Sequence, residues 1–185
     1  MVSVYTVQSN TTDYKSFYPT ETDENAILEM RGALDFHGKP RKDDWISMPV
    51  YLRELEDCNI GKQPIPDIVS LRSTLVFSEK AKKLLIPYLS NEDELLPLEY
   101  ENDTWYVLNV VTKMEAALDR EKTTYYVDDS MDVTGAKKYA FSSEELKGVH
   151  LFKLGISNYI TIYCSERLKK AVEDNNLTGV IFEKL

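Results

Sequence analysis

Leu75-Val76-Phe77-Ser78-Glu79-Lys80-Ala81-Lys82-Lys83-Leu84-Leu85 is matched, farther along the chain, by Ile162-Tyr163-Cys164-Ser165-Glu166-Arg167-Leu168-Lys169-Lys170-Ala171-Val172. Each stretch reads as a short apolar strand, a Ser placed to cap a helix, and a helix with one apolar face. In the first, Ala81, Leu84, Leu85 and Tyr88 fall at i, i+3, i+4 and i+7, while Lys80, Lys82 and Lys83 take the wet side. Ser78 can accept an early helical N–H, and Pro87 ends the helix. Leu95, Leu96 and Leu98 then begin a return strand. In the second, Leu168, Ala171 and Val172 repeat the apolar positions, Asn175 and Asn176 close the helix, and Gly179-Val180-Ile181-Phe182 is the return strand. Leu84 and Leu168 are both expected in the core.

Outward from these units, Val2, Val4 and Val7 mark a first strand, and Trp45 to Leu52 a further one at a sheet edge, because of Pro49. Trp105 to Val111 reads as a central strand and His150 to Ile156 as another. Ser142 to Gly148 reads as one helical turn, with a capping box between Ser142 and Glu145. Ala26 to Leu34 fits neither period. All seven prolines lie at or before Pro97, which assigns the irregular loops to the N-terminal half. The expected class is α+β: a single mixed or mostly antiparallel sheet with a few short helices, containing two similar strand–helix–strand units near 75–98 and 160–183. Residues 1–185 are expected to form a single domain, with 1–60 as an irregular N-terminal part.

A chain of 185 residues can bury about 70% of its extended surface, and 43% hydrophobic residues supply a substantial core. Twelve Tyr against six Phe favours aromatics that keep a hydroxyl at the core's edge. The net charge of −9 repels phosphate backbones, so nucleic-acid binding is disfavoured and a basic partner would be suited. Acidity also serves plain solubility. Cys58 and Cys164 make no disulfide framework, Met1 to Val7 is no signal peptide, and no apolar run approaches a membrane span. The cytoplasm is the expected compartment.

Chemistry is sparse. Gly32 to Lys39 resembles a phosphate loop, but the second Gly is a residue too late and Pro40 stands where Ser or Thr is required. Asp128-Asp129-Ser130-Met131-Asp132 alternates like a calcium loop, yet Val133 occupies the position that needs Gly and Tyr139 that of the bidentate Glu. His37 and His150 sit in no acid–base or zinc spacing, and Cys164 reads as a buried, inert thiol. No catalytic residue, metal or cofactor is expected.

From Pro64 onward the chain resembles a family of bacterial immunity proteins encoded beside polymorphic toxins, numbered eleventh among the immunity classes. The resemblance rests, in order, on Leu75 to Ala81, on Trp105 to Val111 with Ala117-Leu118-Asp119, on Leu151 to Leu154, and on Ile162 to Leu168 ending in Leu177 to Phe182. It implies a cytoplasmic, non-catalytic protein that binds a cognate toxin and blocks it. An adaptor module on the same scaffold, without a toxin partner, is the alternative. Asn109 and Asp119 match polar positions of the family pattern, and structural roles account for both: a buried amide must be satisfied, and an Asp can cap a turn. For the partner-facing surface the candidates are Glu92, Asp93, Glu94, Glu99, Glu101 and Asp103, a stretch without Lys or Arg. Such a ridge would suit the phosphate-holding face of a basic nuclease toxin.

Overall fold

The computed structural model describes residues 2–19, 34–47, 50–53, 63–71, 73–101, 103–129 and 132–185. Along these residues run β1 (Val4–Ser9), β2 (Ser16–Pro19), β3 (Val50–Arg53), β4 (Ile68–Leu71) and β5 (Thr74–Phe77). Helix α1 (Glu79–Leu85), β6 (Glu94–Tyr100), β7 (Asp103–Asn109), β8 (Thr124–Val127) and β9 (Val133–Lys138) follow. The chain ends with β10 (Leu151–Phe152), β11 (Tyr163–Ser165), α2 (Glu166–Asp174) and β12 (Val180–Lys184). The class is α+β.

Both helices begin on a capping serine. Ser78 Oγ accepts from Ala81 N, and Ser165 Oγ from Leu168 N, each at 3.2 Å. Pro87 stands at the start of a single 3₁₀ turn, Ile86–Tyr88, that brings α1 to an end. On α2, Leu168, Ala171 and Val172 are buried. On α1 the buried residues are Ala81 and Leu85, while Leu84 is half-buried against the same core.

The expectation of one sheet is overturned. Among the described residues there are two four-stranded sheets, ordered β4-β5-β7-β6 and β10-β11-β1-β12, and two hairpin sheets, β2-β3 and β8-β9. Every strand pairing is antiparallel. Because β7 lies between β5 and β6, those two strands run parallel across it; β11 and β12 do the same across β1. The physical reason for two stacked sheets is visible in Leu75-Val76-Phe77, where consecutive side chains are all buried. Strand side chains alternate between faces, so such a run demands cover on both sides.

That cover comes as three cores. The middle one lies between the two large sheets and takes Ile68, Leu75, Phe77 and Leu108 from one, Tyr5, Leu151 and Cys164 from the other, and both helices. The opposite face of the first sheet (Val69, Val76, Leu96, Leu98, Trp105, Val107) packs on Phe17, Leu34, Phe36 and Val50. Val4, Phe152 and Tyr163, on the far side of the second sheet, pack with Leu118, Leu146 and Leu154. Each fully buried Leu or Phe contributes about 1.5–3 kcal/mol relative to exposure.

A polar tie fastens the start of β4 to the segment before β12. Ile68 N donates to Thr178 O at 2.9 Å, and the Asp67 carboxylate accepts from Thr178 N and Oγ1 at 3.0 Å each and from Lys80 Nζ at 3.1 Å. Gly179 makes this approach possible. Its φ is +101°, and a Cβ there would collide with Ile68 O and Pro66 Cβ.

Other departures are local. The strand expected from His150 to Ile156 is confined to Leu151–Phe152. Lys153 forms only a bridge to Lys113, and Gly155–Ser157 is a 3₁₀ turn closed by left-handed Asn158 and Tyr159. Ser142 Oγ accepts from Glu145 N at 3.4 Å, but residues 143–148 are successive turns rather than a helix. Trp45 to Ser47 are not strand; β3 starts at Val50, and Pro49 lies outside the described residues, as do Cys58, residues 26–33, and Ser130 and Met131. The β8–β9 hairpin was not anticipated.

Candidate interaction surface

β6 is an edge strand, which explains how Pro97 is accommodated: it lacks an N–H, and its carbonyl accepts from Trp45 Nε1 at 2.8 Å. Leu96 and Leu98 point into the core, so Pro97 and Glu99 face outward. The β6–β7 register pairs Glu99 with Thr104 and Tyr100 with Asp103, leaving a two-residue turn that begins at Glu101, φ +51°. Glu99, Glu101 and Asp103 are all exposed at this tip. Burial pushes the Tyr100 phenol above its ordinary range, and the Glu101 and Asp103 charges, with a hydrogen bond to Glu101, push it the same way.

The other three candidate carboxylates sit at the opposite end of the hairpin, about 17 Å away for the five residues from Glu94 to Glu99. Two of them are occupied internally. Glu94 Oε2 accepts from Arg41 N at 2.7 Å and Asn109 Nδ2 at 2.8 Å, and its Oε1 from Lys42 N at 3.0 Å. Asp93 Oδ1 accepts from Val111 N at 2.9 Å, Thr112 N at 3.3 Å and Thr112 Oγ1 at 3.2 Å, and its Oδ2 from Ser90 N at 3.0 Å. Glu92 is exposed. The tip and the base of the hairpin are therefore two places: a solvent-facing triad of carboxylates, and a polar junction that clamps a loop.

Asn109 is fully buried in that junction; its Nδ2 also donates to Lys39 O at 2.7 Å, while Oδ1 has no hydrogen-bond partner among the described residues. The clamped loop turns through His37 and Gly38, both left-handed, with Lys39 N donating to Phe36 O at 2.8 Å. Sequence reasoning missed Lys153, which is fully buried and donates to Ser73 O at 3.0 Å. Burial lowers its pKa to about 8; the nearby charges of Asp93 and Asp35 oppose this, and Lys113 adds to it. An ammonium in the middle of an apolar strand pattern gives no sequence signal of burial. Asp119 holds a turn, its carboxylate accepting from Lys122 N at 3.2 Å and Lys122 Nζ at 2.7 Å.

The His and Cys side chains among the described residues are each held by a neighbour or buried. His150 Nδ1 lies 3.0 Å from Ser165 Oγ, but that oxygen already accepts the capping N–H of α2. Burial and then the Arg167 charge lower the His150 pKa. His37 Nδ1 bonds the Asn158 carbonyl at 2.9 Å. Cys164 is buried, and desolvation pushes its thiol up to about 12, far from a nucleophilic range. Among the described residues no three His, Cys, Asp or Glu side chains are grouped to hold a metal ion, and no helix is long and apolar enough to cross a membrane. An open cleft of about 970 Å³ lies beside β8–β9, lined by Glu115, Arg120, Tyr125, Thr134 and Tyr159 among others.

Among curated proteins none matches the chain. The model of the immunity protein family Imm11 does match, over residues 95–185, from Leu95 within β6 to Leu185.

Proposed function

We propose that the protein binds a cognate toxin stoichiometrically and blocks it without catalysing a reaction. The observation that carries this reading is the match of residues 95–185 to an immunity protein family. The net charge of −9 and the exposed Glu99, Glu101 and Asp103 at the β6–β7 tip support a basic toxin face as the partner, of the kind a nuclease uses to hold phosphates. The tip steers encounter, while Asp93 and Glu94, tied into the junction, act only through structure. On this reading residues 1–185 work as one domain in the cytoplasm, where an incoming toxin would act.

Co-expression with the toxin domain encoded beside the protein's gene tests the proposal. The expected result is cell survival and an equimolar complex by light scattering. A toxin that remains lethal and unbound in the presence of the folded protein overturns it. The non-catalytic part is tested by His37→Ala and His150→Ala, which keep protection; a folded variant that binds toxin yet fails to protect overturns that part alone.

A further inference from the structure

A pocket of about 390 Å³ opens where β11 leaves β1. β11 pairs with β1 only as far as Thr6, with one further bond from Val7 N to Ile162 O at 3.3 Å, whereas β12 stays paired to Ser9. Backbone bonding sides alternate along a strand. Val7 bonds toward β11 and Asn10 N donates to Gly179 O beside β12, so the N–H and C=O of Ser9 face the side that β11 has vacated.

The lining is rich in groups that both donate and accept. Seven of its thirteen residues carry a hydroxyl, Glu183 is the one charged side chain among them, and none is Lys or Arg. Some of these hydroxyls are spent inside the chain: Ser73 Oγ donates to Leu34 O at 3.1 Å, and Thr74 Oγ1 to Leu71 O at 2.6 Å. Thr6 Oγ1 is not. It is shut off from bulk solvent and has no hydrogen-bond partner among the described residues, a state that folded proteins rarely leave unanswered.

Tyr139 supplies a second unspent group. Its phenol lies 3.1 Å from that of Tyr163, which is fully buried among aromatic rings, where the Tyr139 oxygen is the acceptor at hand. The Tyr163 proton goes there, and the Tyr139 O–H is left to donate into the pocket. Thr6 shares its face of the sheet with its cross-strand partners Tyr163 and Glu183. Glu183 Oε2 accepts from Gln8 Nε2 at 3.3 Å, which leaves Oε1 as an acceptor on the same face. Val7 and Ile160, the latter 48% exposed, give the pocket an apolar wall.

A ligand that satisfies this set carries neighbouring groups that each donate and accept, a C–H surface for the wall, and no negative charge. Vicinal hydroxyls on a sugar ring have that chemistry, and the volume accommodates one ring. We propose that the pocket binds a neutral saccharide: Glu183 and the Thr6 hydroxyl take adjacent ring hydroxyls, Tyr139 donates to a third, and the C–H face of the ring rests on Ile160. The site shares no residue with the β6–β7 tip and is independent of toxin binding.

Amide shifts of the ¹⁵N-labelled protein, titrated with D-glucose, D-galactose, D-mannose and N-acetyl-D-glucosamine, test it. At least one of these sugars shifts the Ser9 and Thr161 amides saturably. Thr6→Val keeps the shape of the side chain and removes the unpartnered hydroxyl; it weakens that binding at least about tenfold, with a melting temperature unchanged or higher. Glu183→Gln, at an exposed position, weakens it too. D-glucuronate and D-galacturonate bind more weakly than their parent hexoses, because no cation lines the pocket. If none of the four sugars shifts those amides, the Thr6 hydroxyl is left to a water molecule only and the proposal is overturned. Undiminished binding in either variant, or a uronate that binds more tightly than its parent hexose, overturns it as well. So does a Thr6→Val variant with a lower melting temperature, since the hydroxyl would then serve a partner inside the chain.

Discussion

Replacing Gly179 with alanine tests how the two large sheets are fastened together. Gly179 has φ +101°, and an added Cβ would overlap the Ile68 carbonyl oxygen and the Pro66 side chain. Holding a non-glycine residue in that backbone region costs about 1–3 kcal/mol. The overlap is with main chain and a rigid ring, so relief requires a backbone shift, at about 1–3 kcal/mol more. The shift would also stretch the Thr178 to Ile68 and Asp67 bonds, each contributing about 1 kcal/mol. The sum is about 4–8 kcal/mol, a large part of the roughly 5–15 kcal/mol that holds a typical domain folded. For a chain of this length that lowers the melting temperature by roughly 8–32 °C. Urea unfolding followed by circular dichroism gives the free energy directly. Gly135→Ala is the internal control. It sits in open space without a positive φ, so it should be neutral or stabilising by up to about 1 kcal/mol. A Gly179→Ala variant within about 0.5 kcal/mol of wild type, or a control equally damaging, would show that the tie does not hold the sheets.

Leu168→Ala, at a fully buried position, should destabilise by about 2–5 kcal/mol, and Leu84→Ala by clearly less because Leu84 is already half-exposed; equal losses in urea unfolding would refute the helix orientation. Exposed Lys83→Ala should stay within about 0.5 kcal/mol in the same assay. Lys153 has a folded pKa near 8, below the unfolded value of about 10.4. The unfolded chain therefore binds more protons between those values, and this group's contribution to stability rises with pH from about 8 to 10.4 and is flat below 8. Lys153→Met should remove that rise from the wild-type profile, and identical profiles for the two proteins would refute a depressed ammonium. Reversing Glu99, Glu101 and Asp103 to Lys should slow toxin association markedly at low ionic strength and little at high salt, and an unchanged rate in a folded variant moves the interface elsewhere.

Local elements were legible because their causes are local. Ser78 and Ser165 announce helix starts, and the apolar spacing of Leu168, Ala171 and Val172 announces a face. Leu84 packs against the middle core as its spacing implies, but only partly buried, while Ala81 and Leu85 of the same face are fully buried. The division into two sheets depends on strand order, which periodicity does not encode. Nothing in Val4 to Ser9 says that it will lie between β11 and β12 from the far end of the sequence. The β8–β9 hairpin was hidden for a different reason. With register shifts after Thr124 and after Tyr126, and with a mostly exposed surface, it lacks the alternation that marks a half-buried strand. At the candidate surface, six neighbouring carboxylates looked like one ridge, because sequence distance ignores a hairpin. The strand carries Glu94 and Glu99 to opposite ends, and hydrogen bonding to the 39–42 loop withdraws one end from the surface.

The way the chain closes on itself bears on what the family match covers. The matched segment begins inside β6 and includes β10, β11, α2 and β12, yet β11 and β12 touch only through β1, which lies at the other end of the chain. Tyr5 pairs with both Cys164 and Lys184, so a single residue of β1 bridges the two strands. Residues 95–185 likewise lack β5, the neighbour of β7 and a main supplier of the middle core through Leu75 and Phe77. Without β1 and β5, β12 and β11 would each present an unpaired edge, and Leu108 would lose its cross-strand partner Leu75. The limits of the match are thus not the limits of a folding unit. Whatever surface the matched segment presents is held in shape by strands that lie outside it.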